Sequence, residues 1–106
     1  MSKLNAVSLR WQAPTQNVDG SPIDYELAYE LYVDAEAVAT FPGRLNPDGT
    51  YEQDVVDLFP DTTFAAYDVA LKAFRVDQPA EKSELSNVVE YKFDRRKPKA
   101  PFLLES

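Results

Sequence analysis

The chain has no cysteine and no histidine among its 106 residues, and only three glycines and one tryptophan. Without cysteine there is no disulfide framework and no thiolate metal site, and the redox compartment is left undecided. Without histidine the commonest general base and metal ligand is missing, as is the usual switch near neutral pH. The two absences together rule out Ser-His and Cys-His nucleophile pairs, and a Ser-Lys pair has no recognisable spacing here. Three glycines supply no Gly-rich phosphate loop. No apolar run approaches the ~18 residues a membrane span needs. The opening MSKLNAVSLRW lacks the apolar region of a cleavable export signal, so the expectation is a soluble chain that is not exported by a signal of its own.

What is present is acid. The formal charge is −7, from 18 acidic and 11 basic side chains. Four basic residues (Arg95, Arg96, Lys97, Lys99) crowd into one five-residue window, so residues 1–94 carry seven basic against seventeen acidic groups, a balance of −10. An acidic body argues against a nucleic-acid partner, which needs a basic face; the basic window reads as a solvated linker. Counting leaves a glycosidase-type carboxylate pair open, but eighteen acids spread over loops and polar strand faces read as solvation. Asp19 and Asp24 flank one loop and Asp48 sits in another, without a D-x-D-x-D-G calcium run, so they read as turn aspartates. The expectation is a chain that is not an enzyme, with no catalytic residue, no cofactor and no metal site.

Alternation organises the rest. Val7, Leu9 and Trp11 share one face of a short strand, with Ser8, Arg10 and Gln12 opposite. Trp11 reads as the plug of a small core, with ligand stacking as the other use of a lone indole. The loop that follows, through Pro14, Asn17, Asp19, Gly20 and Pro22, is built of turn-formers. Tyr25, Leu27, Tyr29, Leu31 and Val33 then alternate with polar residues, and Tyr32 falls on the polar side, where an exposed tyrosine suits a contact. Residues 35–41 predict a short strand and FPGRLNPDGT a loop. YEQDVVDL predicts a strand with Val56 and Leu58 inward, and FPDTTF a turn. Tyr67, Val69, Leu71 and Ala73 form another inward face, and Val89, Tyr91 and Phe93 the last. About six strands with no convincing helix and no internal repeat predict an all-β sandwich over residues 1–94, followed by a basic, Pro-containing tail over 95–106 with an apolar end. The expected core is Val7, Leu9, Trp11, Tyr29, Leu31, Leu58, Tyr67, Val69, Leu71 and Val89.

Four segments in order, VSLRWQAPTQNVDGSPI, AYELYVD, DLFPDTTF leading into YDVALKA, and SELSNVV, together resemble a fibronectin type III domain of the bacterial and bacteriophage type over residues 6–93. The resemblance implies an immunoglobulin-like two-sheet antiparallel sandwich in which Trp11, Tyr29, Leu58, Pro60, Tyr67 and Ala73 are core or turn-fixing positions. It also implies that Tyr67 is the tyrosine that bonds back across a corner. This chain departs from the pattern twice. About three extra residues between Thr62 and Tyr67 make Phe64 a competitor for that role, and the first strand is short or missing, because only Met1 to Asn5 precede the Trp-bearing strand.

A missing first strand leaves the Trp-bearing strand as an open edge, which invites pairing with another chain. In KPKAPFLLES, Pro98 and Pro101 stiffen a spacer that ends in Phe102, Leu103 and Leu104, so this triplet is expected to dock on the sandwich of the same or a neighbouring subunit; the alternative is a loose terminus. The partner-binding candidates are therefore Tyr32, Phe102, Leu103 and Leu104, with a homo-oligomer formed through the open edge or the tail. On the resemblance, a complete Met-initiated domain without an export signal looks like a non-catalytic accessory protein of a bacteriophage virion. It would decorate a capsid or attach to a tail, be made in the host cytoplasm, and bind capsid or tail proteins or the host surface. The alternative is a carbohydrate-binding or spacer module of a secreted bacterial glycosidase.

Overall fold

Residues 2–96, 98 and 100–104 are described by a computed structural model; Lys97 and Lys99, half of the basic window, lie outside the described residues. The alternating segments form eight strands: β1 (Ser2–Leu4), β2 (Ser8–Trp11), β3 (Leu27–Val33), β4 (Glu36–Phe41), β5 (Arg44–Leu45), β6 (Tyr51–Asp54), β7 (Phe64–Arg75) and β8 (Val89–Asp94). They make an all-β sandwich, with one sheet ordered β1-β8-β7-β3-β4 and the other β2-β6-β5. Every pairing is antiparallel except that of β1 with β8. The first strand is thus short rather than missing, and it lies in the sheet opposite β2.

The two inner faces meet on the residues that period two places there. Tyr29, Leu31 and Val33 of β3, Val69 and Leu71 of β7, Tyr91 and Phe93 of β8 and Leu9 of β2 are buried. Aromatic rings concentrate at the two ends of this core. At one end Trp11 packs edge-on to Tyr29 at 4.9 Å and lies near Phe41 and Tyr51 at 5.8 and 6.2 Å. At the other, Phe59 sits 5.0 Å from Phe93, 5.2 Å from Tyr67 and 5.8 Å from Tyr91. Trp11, Leu58, Tyr67 and Val89 are half-buried at the margin of the core, packed against it.

Three expectations are corrected. Val7 is 49% exposed: it precedes β2 in the passage between the sheets and contributes only its carbonyl, which accepts the Val55 N–H at 3.0 Å. After Asp54 the chain does not continue as a strand but tightens into a 3₁₀ turn over Val56–Leu58, which makes Val55 rather than Val56 the buried residue. FPGRLNPDGT, expected to be a loop, holds β5, paired with β6, while FPDTTF turns the chain as expected, from Phe59, itself a core residue.

The corner before β7 is held by Tyr67. Its hydroxyl donates to the Asp61 carbonyl at 3.1 Å and accepts the Asp61 N–H at 3.0 Å. Phe64 is 57% exposed and carries the Arg96 guanidinium 3.7 Å above its ring. Two main-chain groups therefore depend on one phenol oxygen. We expect Tyr67→Phe to lower stability by about 1–2 kcal/mol, the cost of two such bonds at a partly exposed site, read as a shift of the urea midpoint with unchanged slope.

Candidate functional site

Two connections at one end of the sandwich share a local design that sequence reading passed over. N-V-D-G-S at 17–21 and N-P-D-G-T at 46–50 both read N-x-D-G-[S/T], a repeat visible in the letters once turns rather than strands are compared. In the first, Gly20 N–H donates to the Asn17 carbonyl and Asn17 N–H to the Ser21 carbonyl, while the Asp19 carboxylate accepts both the Ser21 N–H and hydroxyl. In the second, Gly49, Asn46, Thr50 and Asp48 repeat each of these bonds. The glycines have φ of 89° and 90°, the left-handed region that a side chain resists. The aspartates are thus consumed by their own turns, and among the described residues no three acidic side chains converge on a point that would hold a metal.

This bonding has a pH signature. The Ser21 hydroxyl and N–H hold the Asp19 carboxyl below its ordinary value of 3.8, and those of Thr50 do the same for Asp48. Because the folded values are depressed, the stabilisation is fully present above the ordinary value and is lost as pH falls through the folded ones. We expect both carboxyl carbons to titrate below 3.8 by NMR, and Ser21→Ala to return Asp19, but not Asp48, towards it.

Between these turns, Tyr25, Tyr51, Leu45 and Ile23 line a cleft of about 840 Å³. Its rings are engaged from within: Arg75 lies 4.2 Å over Tyr25, whose hydroxyl bonds the Asn17 side chain, and Tyr51 stacks on Trp11.

The more accessible feature is the outer edge of β2. It pairs with β6 on one side only. The bond from Val55 N–H to the Val7 carbonyl fixes the phase of the ladder. Antiparallel alternation then directs the main-chain groups of Leu9 and Trp11 towards β6 and those of Ser8 and Arg10 away from it. The Ser8 carbonyl takes a bond from the buried Tyr91 hydroxyl at 3.1 Å, whose ionisation burial pushes up to about 12. That leaves the Ser8 N–H and both main-chain groups of Arg10 along an open edge. The Arg10 side chain turns outward to Asp48 at 2.7 Å.

Beside this edge runs a slot of about 520 Å³, floored by Leu9, Trp11, Leu71 and Val89. Its far wall runs from Ser83 to Asn87, from the end of DQPAEKSEL, which reads as a polar loop, into the start of SNVVEYKF, which reads as the last strand although β8 begins only at Val89. From Lys82 it follows β7, and Ser83 and Ser86 alternately replace the ladder: their N–H groups donate to Ala73 and Leu71 carbonyls, and their hydroxyls accept the Ala73 and Leu71 N–H. Spacing of three, not two, brings Ser83, Ser86 and Val89 to β7. That period is why the alternation test missed it.

Of the partner-binding candidates, Tyr32 lies apart from the edge, on the outer face of the five-stranded sheet. Its hydroxyl donates to Glu30 at 2.6 Å and Lys72 covers its ring at 5.3 Å, while exposed Leu85 and Val88 flank it. Phe102, Leu103 and Leu104 are 86, 92 and 77% exposed. In this structure they lie off the sandwich of their own chain. The arm also begins later than its charge suggests, because the Arg95 N–H is tied to the Thr63 carbonyl at 2.8 Å and the Arg96 side chain to Asp94 at 3.0 Å. A compact chain of this length has a radius of gyration near ~13 Å, whereas this one measures 18.2 Å and extends 74 Å along its long axis, as an extended arm requires. Comparison with protein-family models, curated proteins and solved structures finds no match to this chain.

Proposed function

We propose that this chain is a non-catalytic structural and interaction module of the fibronectin type III kind, acting as an accessory protein of a bacteriophage virion. In that role it decorates a capsid or attaches to a tail and works by binding capsid, tail or host-surface protein. The observation that carries the interaction half is the pairing of an open strand edge beside an apolar-floored slot with three adjacent apolar side chains held in solvent. A free edge supplies main-chain bonds to an added strand and the slot takes its alternate side chains. The virion half rests on the sequence resemblance and is an analogy, because a fold hosts many functions. Reading the genes that flank this one is the direct test. Capsid and tail genes are expected; a longer frame continuing into a glycoside hydrolase overturns the virion reading. The carbohydrate-binding alternative draws on Tyr25 and Tyr51 in the loop-end cleft, and their engagement by Arg75 and Trp11 makes it the weaker of the two. Retardation of the protein in a polysaccharide-containing gel would favour it.

A further inference from the structure

We infer that the slot beside β2 receives the C-terminal arm of a second copy of this chain, residues 100–104, as an added strand. This rests on the interaction-module reading above and names the occupant of its edge. Three observations point to it. The first is fit. β2 offers four residues, Ser8–Trp11, a length of about 13 Å, and Phe102, Leu103 and Leu104 extended beside them cover about 10 Å of it. Period two then sends Phe102 and Leu104 to one face, against Leu9, Trp11 and Val89 in the slot. Pro101 has no N–H, and it biases Ala100 towards extended backbone.

The second is direction. The arm leaves β8 at Asp94, which is paired with Phe64 at the start of β7, so it departs from the end of the sandwich opposite the two N-x-D-G turns. It continues outward rather than folding back, and Arg96 is still anchored at Asp94. A return to β2 of the same chain needs a reversal between Arg96 and Phe102, a stretch that holds Pro98 and Pro101. The third is charge. Residues 1–96, up to the anchored Arg96, carry −8, and the arm beyond them carries two basic groups, Lys97 and Lys99, and one acidic, a balance of +1. Arm and body of two copies attract, while two bodies repel. Edge and arm are different surfaces of one chain, so the contact is heterologous, and repetition gives a closed ring or an open file of subunits.

Complementation tests this. One variant, Arg10→Pro, removes the outward N–H while leaving the bonds to β6 in place, because proline is tolerated where the N–H faces away from the ladder. A second variant ends at Arg96 and has no arm. By sedimentation or light scattering, the mass of the full chain should rise above monomer with concentration and fall back several-fold in apparent affinity when salt screens the attraction. Each variant alone should remain monomeric, and their 1:1 mixture should stop at a dimer, because it holds one open edge and one arm. Phe102→Asp with Leu104→Asp, which leaves the sandwich untouched, should match the truncation if Arg10→Pro proves unstable by circular dichroism. A full chain that stays monomeric throughout, a truncated chain that still associates, or a mixture that does not pair overturns the inference. If the monomer nonetheless binds capsid or tail protein through the β2 edge, the broader reading stands and only this occupant is wrong.

Discussion

Phe93→Ala should be the most damaging single truncation in the chain, costing about 3–5 kcal/mol. Phe93 is fully buried and stands among Phe59 at 5.0 Å and Tyr67 at 6.2 Å. Its neighbours belong to the 3₁₀ corner, β7 and β8, three pieces of main chain whose relative positions are fixed by their own hydrogen bonds and so close poorly over a void. Single domains have only about 5–15 kcal/mol in total, so the variant should unfold at a far lower urea concentration. Phe102→Ala is the internal control: the same residue type, 86% exposed, and expected within about 0.5 kcal/mol of the parent. If the two variants melted alike, the aromatic cluster around Phe59 would not be a sealed core.

The second large effect belongs to a residue with no side chain. Gly43 has φ of 76°, and a Cβ placed there would stand 2.6 Å from Cζ2 and 3.0 Å from Cη2 of Trp11. The indole cannot swing aside like a lysine tip, because Tyr29, Phe41 and Tyr51 surround it. Two costs therefore add, the left-handed backbone at roughly 1–2 kcal/mol and the displaced ring, for about 2–4 kcal/mol in all. Gly20→Ala and Gly49→Ala share the backbone cost at φ of 89° and 90° but meet nothing within 4 Å, so they should lose only about 1–2 kcal/mol. The excess at Gly43 isolates packing against Trp11, and a shift in tryptophan emission should accompany it there and not at the other two. Equal losses at all three glycines would mean that the indole is loosely held.

Period-two alternation made most of the fold legible. Tyr29, Leu31, Val33, Val69, Leu71, Tyr91 and Phe93 are all inward as their parity demands, because each lies within a paired strand of the five-stranded sheet whose inner face meets the other sheet. The rule failed where strands end. Val7 has inward parity but no sheet opposite it, and Val55 turns inward because a 3₁₀ turn changes the phase after Asp54. It failed again at 82–88, where a period of three carries Ser83 and Ser86 to β7. The open edge followed from counting residues before Trp11, although β1 does form and takes its place beside β8 instead. The slot was not legible at all, since its floor comes from three strands and its wall straddles a segment that reads as loop and one that reads as strand. The apolar triplet was plain in the letters, but only coordinates could show that it leaves its own sandwich bare.

Residue-resolved amide exchange over β2 tests the central claim, that the outer edge of this strand is the binding face. In dilute solution the amides of Leu9 and Trp11, committed to β6, should be protected while those of Ser8 and Arg10 exchange freely. As concentration rises, Ser8 and Arg10 should gain protection in the full chain and not in the chain ending at Arg96. Exchange at Ser8 and Arg10 that is equally slow in both chains at every concentration, or equally fast, would contradict it.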